Sequence, residues 1–321
     1  MTQNKPIRVG IIGTGFAAKL RAGTLYADDR THLVAIAGND FDRTQTFAQP
    51  YHAEVLPDWV ELIQREDIDL VAICTINSLH GEIARLALQH GKHVIVEYPL
   101  SLDPAEAEEL LTLAAAKHLL LHVEHIELLG GLHQALIQSL PAIEPVSYVR
   151  YVTIAPKHPA PRRWTYNSEL FGFPLVGALS RLHRLTDRFG EVVKASAQAK
   201  FWEASEPGFH RACLCTAQLQ FATGVLGEIV YGKGESFWHA QNRMEVHGDR
   251  GTLMLEPDKG ELIRDGVVQP LTIGTRRGLF TKDTAMAIDY LVDGTPLYVR
   301  NTDSVYTLQI ADQLRQSAIP S

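Results

Sequence analysis

Along the first 125 residues, short continuous apolar runs alternate with segments whose apolar residues recur every three or four positions. The runs are Ile7–Ile12 (IRVGII), Leu33–Ala37 (LVAIA), Leu70–Cys74 (LVAIC), Val94–Val96 and Leu119–Val123, each of a length that suits a buried strand. Between them the helical period is plain. In LHGEIARLALQHGKH, the residues Leu79, Ile83, Leu86 and His90 fall on one face, and Gly91 supplies a stop. Pro104–Ala116 reads as a second helix with Asp103 as its N-cap. Strand–helix alternation at this spacing predicts an α/β, Rossmann-type, doubly wound parallel sheet over residues 1–125.

From residue 126 the period changes. In VVKASAQAKFW, Val193, Ala195, Ala197, Ala199 and Phe201 alternate with Lys194, Ser196, Gln198 and Lys200. CLCTAQLQF, GEIVYGKG, NRMEVHG and GTLMLE continue in strand-sized pieces divided by glycine-bearing turns, with helical segments near 174–188, 281–293 and 303–317. The pattern predicts an α+β domain over 126–321, built on a large, mostly antiparallel sheet with one apolar face.

Composition narrows the function more than the fold. The 321 residues are 45% hydrophobic and carry a net charge of −7, which disfavours non-specific binding to nucleic acid or to an anionic membrane. No apolar stretch is long enough to span a bilayer. The N-terminus runs directly into a strand and reads as lacking a signal peptide. Three cysteines, Cys74, Cys213 and Cys215, show no metal-ligand spacing and read as reduced thiols, hence a cytoplasmic chain; a monomer and a homodimer both stay open. His122, Glu124, His125 and Glu127 resemble a metal cluster, but no third ligand motif accompanies them, so no metal is expected.

The first strand delivers Gly13-Thr14-Gly15-Phe16-Ala17-Ala18, a G-x-G-x-x-A turn that opens a helix inside a βαβ unit. That context makes it a dinucleotide site: a tight turn at Gly13, close pyrophosphate approach at Gly15 and helix packing at Ala18. The second strand ends in Gly38-Asn39 rather than a carboxylate, and Arg43 follows, which favours the 2′-phosphate of NADPH; the competing reading gives the ribose to Asp40. Thr75, Ile76 and Asn77 follow the run Leu70–Cys74 on the same edge and join the cofactor-binding set. His80 has two readings, contact with nicotinamide or substrate, and capping or packing.

The run Val94–Val96 leads into Glu97-Tyr98-Pro99. With the glycine motif upstream and the α+β half downstream, the run TINSLHGEIARLALQHGKHVIVEYPL resembles the glucose–fructose oxidoreductase / inositol dehydrogenase superfamily. That resemblance implies Glu-Lys-Pro at this position and an aspartate and a histidine four residues apart on a second-domain helix. Here Tyr98, Ser180 and Arg184 stand in those places, so the proton-handling set for polyol oxidation is missing. Glu-Tyr-Pro, LHVEHIELLGG, PRRWTYNSELFGFPLVGALSRLHRLTDRFG, YGKGESF and HGDRGTL resemble the cyanobacterial-type biliverdin reductase family over nearly the whole chain. The resemblance implies NADPH-dependent reduction of a linear tetrapyrrole, with hydride added at the C10 methine bridge and a proton at a pyrrole nitrogen.

Such a substrate is flat, conjugated and doubly anionic, so it needs aromatic walls and cations. Candidate walls are Tyr98, Trp164, Tyr166, Phe171, Phe173 and Trp238, with His125 beside them. Candidate cations are Arg163, Arg181, Arg184, Lys233, Arg276 and Arg277. Arg181 and Arg184 lie one helical turn apart and share a face. They form the catalytic candidates with Tyr98 and Glu97, and Glu97 also counts toward the cofactor. Alternatives are a reductase of another bilin or carbonyl substrate, or an NADP-binding regulator without turnover.

Overall fold

In the computed structural model, which describes residues 5–318, the apolar runs become β1 (Ile7–Ile12), β2 (Thr31–Ala37), β3 (Glu54–Leu56), β4 (Leu70–Ile73), β5 (His93–Val96) and β6 (Leu121–Val123). Three-residue β3 is too short to stand out as a run. The strands pair in the order β3-β2-β1-β4-β5-β6, all parallel. The chain returns through α1 (Phe16–Tyr26), α2 (Phe41–Ala48), α3 (Trp59–Gln64), α4 (His80–Gln89) and α5 (Pro104–Ala116). Asp103 caps α5 by accepting from the Ala105 N–H. The strand order reverses between β1 and β4, and ligands bind outside the carboxyl ends at such a reversal.

The second sheet holds β7 (Val146–Pro156), β8 (Val192–Glu203), β9 (His210–Phe221), β10 (Leu226–Gly234), β11 (Gln241–Gly248), β12 (Gly251–Leu255), β13 (Gly260–Arg264) and β14 (Val267–Leu271). Its order is β14-β13-β12-β11-β7-β10-β9-β8, antiparallel except where β10 runs parallel to β7. The helices of this part of the chain are α6 (Ile126–Leu129), α7 (Gly131–Ser139), α8 (Ser168–Phe171), α9 (Pro174–Gly177) and α10 (Ser180–Phe189), followed by α11 (Leu279–Asp293) and α12 (Asn301–Ala318).

The chain divides into two packed units, and both are discontinuous in sequence. One unit runs to Ile126 and takes back Gly278–Val305; the other is Glu127–Arg277 with the chain from Tyr306 onward. The reason is apolar burial. Ala287 and Ile288 of α11, with Leu291 and Leu297, enter the same core as Val9, Ile11, Ala18, Ala22 and Leu25.

Candidate active site

In the first unit the glycine turn is built for an anion. Gly13 has φ +114°, and a Cβ there would meet the Cys74 carbonyl oxygen at 2.2 Å, so only glycine fits between β1 and the end of β4. Gly15 is the N-cap of α1, makes no side-chain cap, and has open space where a Cβ would stand. The first-turn N–H groups of α1 therefore stay available to a pyrophosphate, with Thr14 half-buried and Phe16 exposed beside them. Ala17 is half-buried and Ala18 fully buried, so the helix packs closely. These residues fit a dinucleotide. At the β2 tip, Asn39 is exposed and Arg43 reaches back to the Thr14 carbonyl at 3.2 Å. Asp40 is the N-cap of α2, accepting from the Arg43 N–H at 2.9 Å. That cap is its role in the fold. Thr75 and Ile76 are half-buried at the β4 end, and Asn77 is buried.

At the β5 end, Glu97 and Tyr98 are both half-buried. Glu97 accepts from Arg21 Nε at 2.7 Å, and Arg21 Nη1 donates to Asp283 at 2.7 Å. Asp283 in turn accepts from the Tyr298 hydroxyl at 2.8 Å and pairs with His122 Nε2 at 2.7 Å. Arg21 and Asp283 are fully buried. Burial opposes the Arg21 charge, yet Glu97 and Asp283 outweigh it and hold the guanidinium firmly protonated. Burial likewise pushes the Asp283 carboxyl up, but Arg21 and His122 draw it far below the usual range. Glu124, buried close to Glu97 and Asp283, is pushed well up toward its neutral form. Tyr98 stacks on His125 with centroids 5.5 Å apart and planes within 9°, and His125 Nε2 bonds the Ser304 hydroxyl at 2.7 Å.

In the second unit, Arg181 and Arg184 of α10 line one small cleft with Ser180, Tyr151, Asn242, Glu127 and Arg276. Glu127 receives one guanidinium on each oxygen, Arg184 on Oε2 and Arg276 on Oε1. Arg181 donates to the Ser180 hydroxyl at 2.9 Å and lies over the Tyr231 ring. Arg163 is exposed, Trp164 and Phe173 are half-buried, and Trp164 tilts against Phe171 with centroids 5.8 Å apart.

Three of the candidate residues are buried. His80 is fully buried; Nδ1 lies 2.8 Å from the Pro99 carbonyl and Nε2 3.3 Å from that of Thr75, so its ring braces the β4 and β5 ends, in keeping with the packing reading. Burial lowers its basicity, with the Pro99 carbonyl partly offsetting this. Lys233 is buried and donates to the Thr165 carbonyl, with Nζ 4.0 Å from the Phe171 centroid. His125 is 1% exposed and supports Tyr98 from behind. The His122–Glu127 cluster separates in the same way: His122 serves Asp283, Glu124 accepts from the Ile126 N–H, and Glu127 serves the arginines.

Sequence reasoning passed over Arg21 and Asp283. Their signal was a charge on the apolar stripe of a helix: Ala18, Arg21, Ala22 and Leu25 in α1, and Leu279, Asp283, Ala287 and Ile288 in α11.

A glycine turn prepared for a dinucleotide and a second domain on an eight-stranded sheet define a nucleotide-dependent oxidoreductase. A family profile described as an oxidoreductase family's NAD-binding Rossmann fold matches residues 7–125, and its C-terminal alpha/beta domain matches 142–321. The chain belongs to this oxidoreductase family. It is similar to the biliverdin reductase of Synechocystis sp. PCC 6803, solved in complex with biliverdin and NADP+, at 50% identity over 98% of this chain and 99% of that one, with a TM-score of 0.96. Biliverdin reductase A of Mus musculus is 38% identical over 137 residues, 43% of either chain, so that match spans less than half of the mouse protein. A dTDP-3,4-didehydro-2,6-dideoxy-alpha-D-glucose 3-reductase of Saccharopolyspora spinosa is 26% identical over 298 residues, 89% of this chain and 88% of that one.

Proposed function

We propose that this protein reduces biliverdin IXα to bilirubin IXα with NADPH. The observation that carries the reading is the 50% identity, across 98% of the chain, to a protein solved with biliverdin and NADP+. The β5 end supports it. Glu97-Tyr98-Pro99 lacks the lysine of polyol dehydrogenases, and Ser180 and Arg184 stand where those enzymes hold an aspartate and a histidine. When bound, NADPH supplies the hydride, which we assign to the C10 bridge. The chain's own residues do the rest. Gly13 to Ala17 seat the pyrophosphate, and Asn39 and Arg43 accept the 2′-phosphate. Thr75, Ile76 and Asn77 flank the nicotinamide half, and Glu97, fixed by Arg21, orients it. Tyr98 acts as a hydroxyl donor, and Trp164 and Phe173 serve as walls. Arg181 stabilises the negative charge that moves onto the pyrrole nitrogens and relays a proton from water, since a guanidinium is a poor acid. A cytoplasmic monomer or homodimer with no nucleic-acid or membrane partner accords with the charge of −7 and three unpaired cysteines.

The match to the Saccharopolyspora sugar 3-reductase favours a second reading, a ketosugar reductase of the same fold. One spectrum separates the two. Purified protein with NADPH and biliverdin should bleach the bilin and raise a yellow bilirubin band. Cofactor oxidation by a nucleotide-linked ketosugar, with biliverdin untouched, would establish the second reading instead.

A further inference from the structure

The cleft that holds Arg184 and Arg276 beside Arg181 has one carboxylate in its lining, Glu127, which cannot neutralise both of the guanidiniums it binds. Both oxygens of Glu127 are taken, by Arg184 and Arg276. Arg184 is 4% exposed, and its Nη1 is buried without a partner among the described residues. A guanidinium cannot escape such a position by losing its proton, and a buried donor without an acceptor is unfavourable. The missing partner is therefore an acceptor, and the net charge makes it an anion rather than water alone.

Size selects the anion. The cavity measures about 30 Å³. That is room for a small polar group and not for the ring system of a tetrapyrrole. A carboxylate fits. We propose that this cleft seats one carboxylate of the substrate, gripped by Arg184 and Arg276, while the conjugated rings stay outside it. The proposal rests on the bilin reading, since biliverdin carries two propionates. Glu127 is a positioning residue here: it takes Arg184 on Oε2 and Arg276 on Oε1 and so holds both guanidiniums in place.

The test compares biliverdin with its dimethyl ester, which has the same chromophore and no carboxylate, both for reduction with NADPH and for cofactor-free binding followed by tryptophan quenching. The unmodified protein should prefer the diacid in both. Arg276→Ala, at a side chain 60% exposed, should shrink that preference about tenfold through KM and Kd. Arg184→Ala takes away one of the two cations on Glu127 and endangers the fold, so Arg184→Lys is the companion variant. It keeps the charge but loses the planar fork, and should shrink the preference as well. Equal use of diacid and ester by the unmodified protein, or an equal loss for both in Arg276→Ala, overturns the carboxylate seat while leaving biliverdin reduction standing. Preferential binding of the diacid with no turnover of either compound keeps the seat and overturns the functional reading.

Discussion

The Lys233 ammonium is enclosed by the Tyr166 and Phe171 rings, 4.9 and 4.0 Å from Nζ. Burial pulls its pKa down to about 8, against ~10.4 in an unfolded chain. Between those values the unfolded state binds a proton that the folded state lacks, so this residue makes stability rise with pH from about 8 to about 10.4. Urea midpoints at the two ends of that window should climb less in Lys233→Met than in the unmodified protein; parallel climbs would refute the assignment. Arg181 behaves differently. It is half-buried and lines the α10 cleft. Arg181→Ala should lower kcat about 100-fold with NADPH affinity retained, as measured by steady-state kinetics beside a cofactor titration. A rise in KM alone would reduce Arg181 to an anchor. The chain spells out which residues carry charge, but it does not say that Lys233 is walled in by rings while Arg181 borders a cleft.

Elements α1, β5 and α11 meet through one buried ion network. Asp283 neutralises Arg21, which in turn fixes Glu97. Asp283→Asn leaves a fully buried guanidinium short of a counter-charge, so a loss of about 3–5 kcal/mol is expected, read by denaturant unfolding. The double variant Asp283→Asn/Arg21→Met should regain part of it, because the fully buried guanidinium is gone while half-buried Glu97 loses its partner. A single-variant loss within experimental scatter of zero would contradict the network's role. At the β2 tip, cofactor choice is open to a cleaner test than the obvious one. A Cβ on Gly38 would meet Thr44 Oγ1 at 2.3 Å, so an acid introduced there would disturb the fold along with the cofactor. Asn39 is exposed, and Asn39→Asp should cut the NADPH-over-NADH ratio of kcat/KM about tenfold by repelling the 2′-phosphate. An unchanged ratio would remove Asn39 from the cofactor set.

For the whole molecule, the consequence lies in chain order. The first unit is finished only when Gly278–Val305 returns and adds Ala287 and Ile288 to its core. A fragment of residues 1–126 lacks those side chains and leaves Arg21 without Asp283. It should therefore be loosely packed and readily cut by protease, whereas the same fragment joined by a flexible linker to 278–305 should resist. Equal resistance of the two would show that the returning segment is dispensable.

The period of apolar positions determined both sheets. Strands that must be buried on both faces are written as unbroken runs, and strands with one wet face as alternation, so the parallel and antiparallel halves were legible before any contact was known. The glycine turn was legible too, because Gly13 answers a backbone demand that no other residue meets. Tertiary structure alone decided which polar groups face inward. His80 and His125 look like ligand contacts in the chain, yet both are buried, with His80 Nδ1 on the Pro99 carbonyl and His125 Nε2 on the Ser304 hydroxyl. Glu127 sits in what reads as a metal cluster and instead joins Arg184 to Arg276, the second of them 149 residues away. Such pairings depend on where distant elements come to rest, and a linear pattern records only the period of each element, not its neighbours.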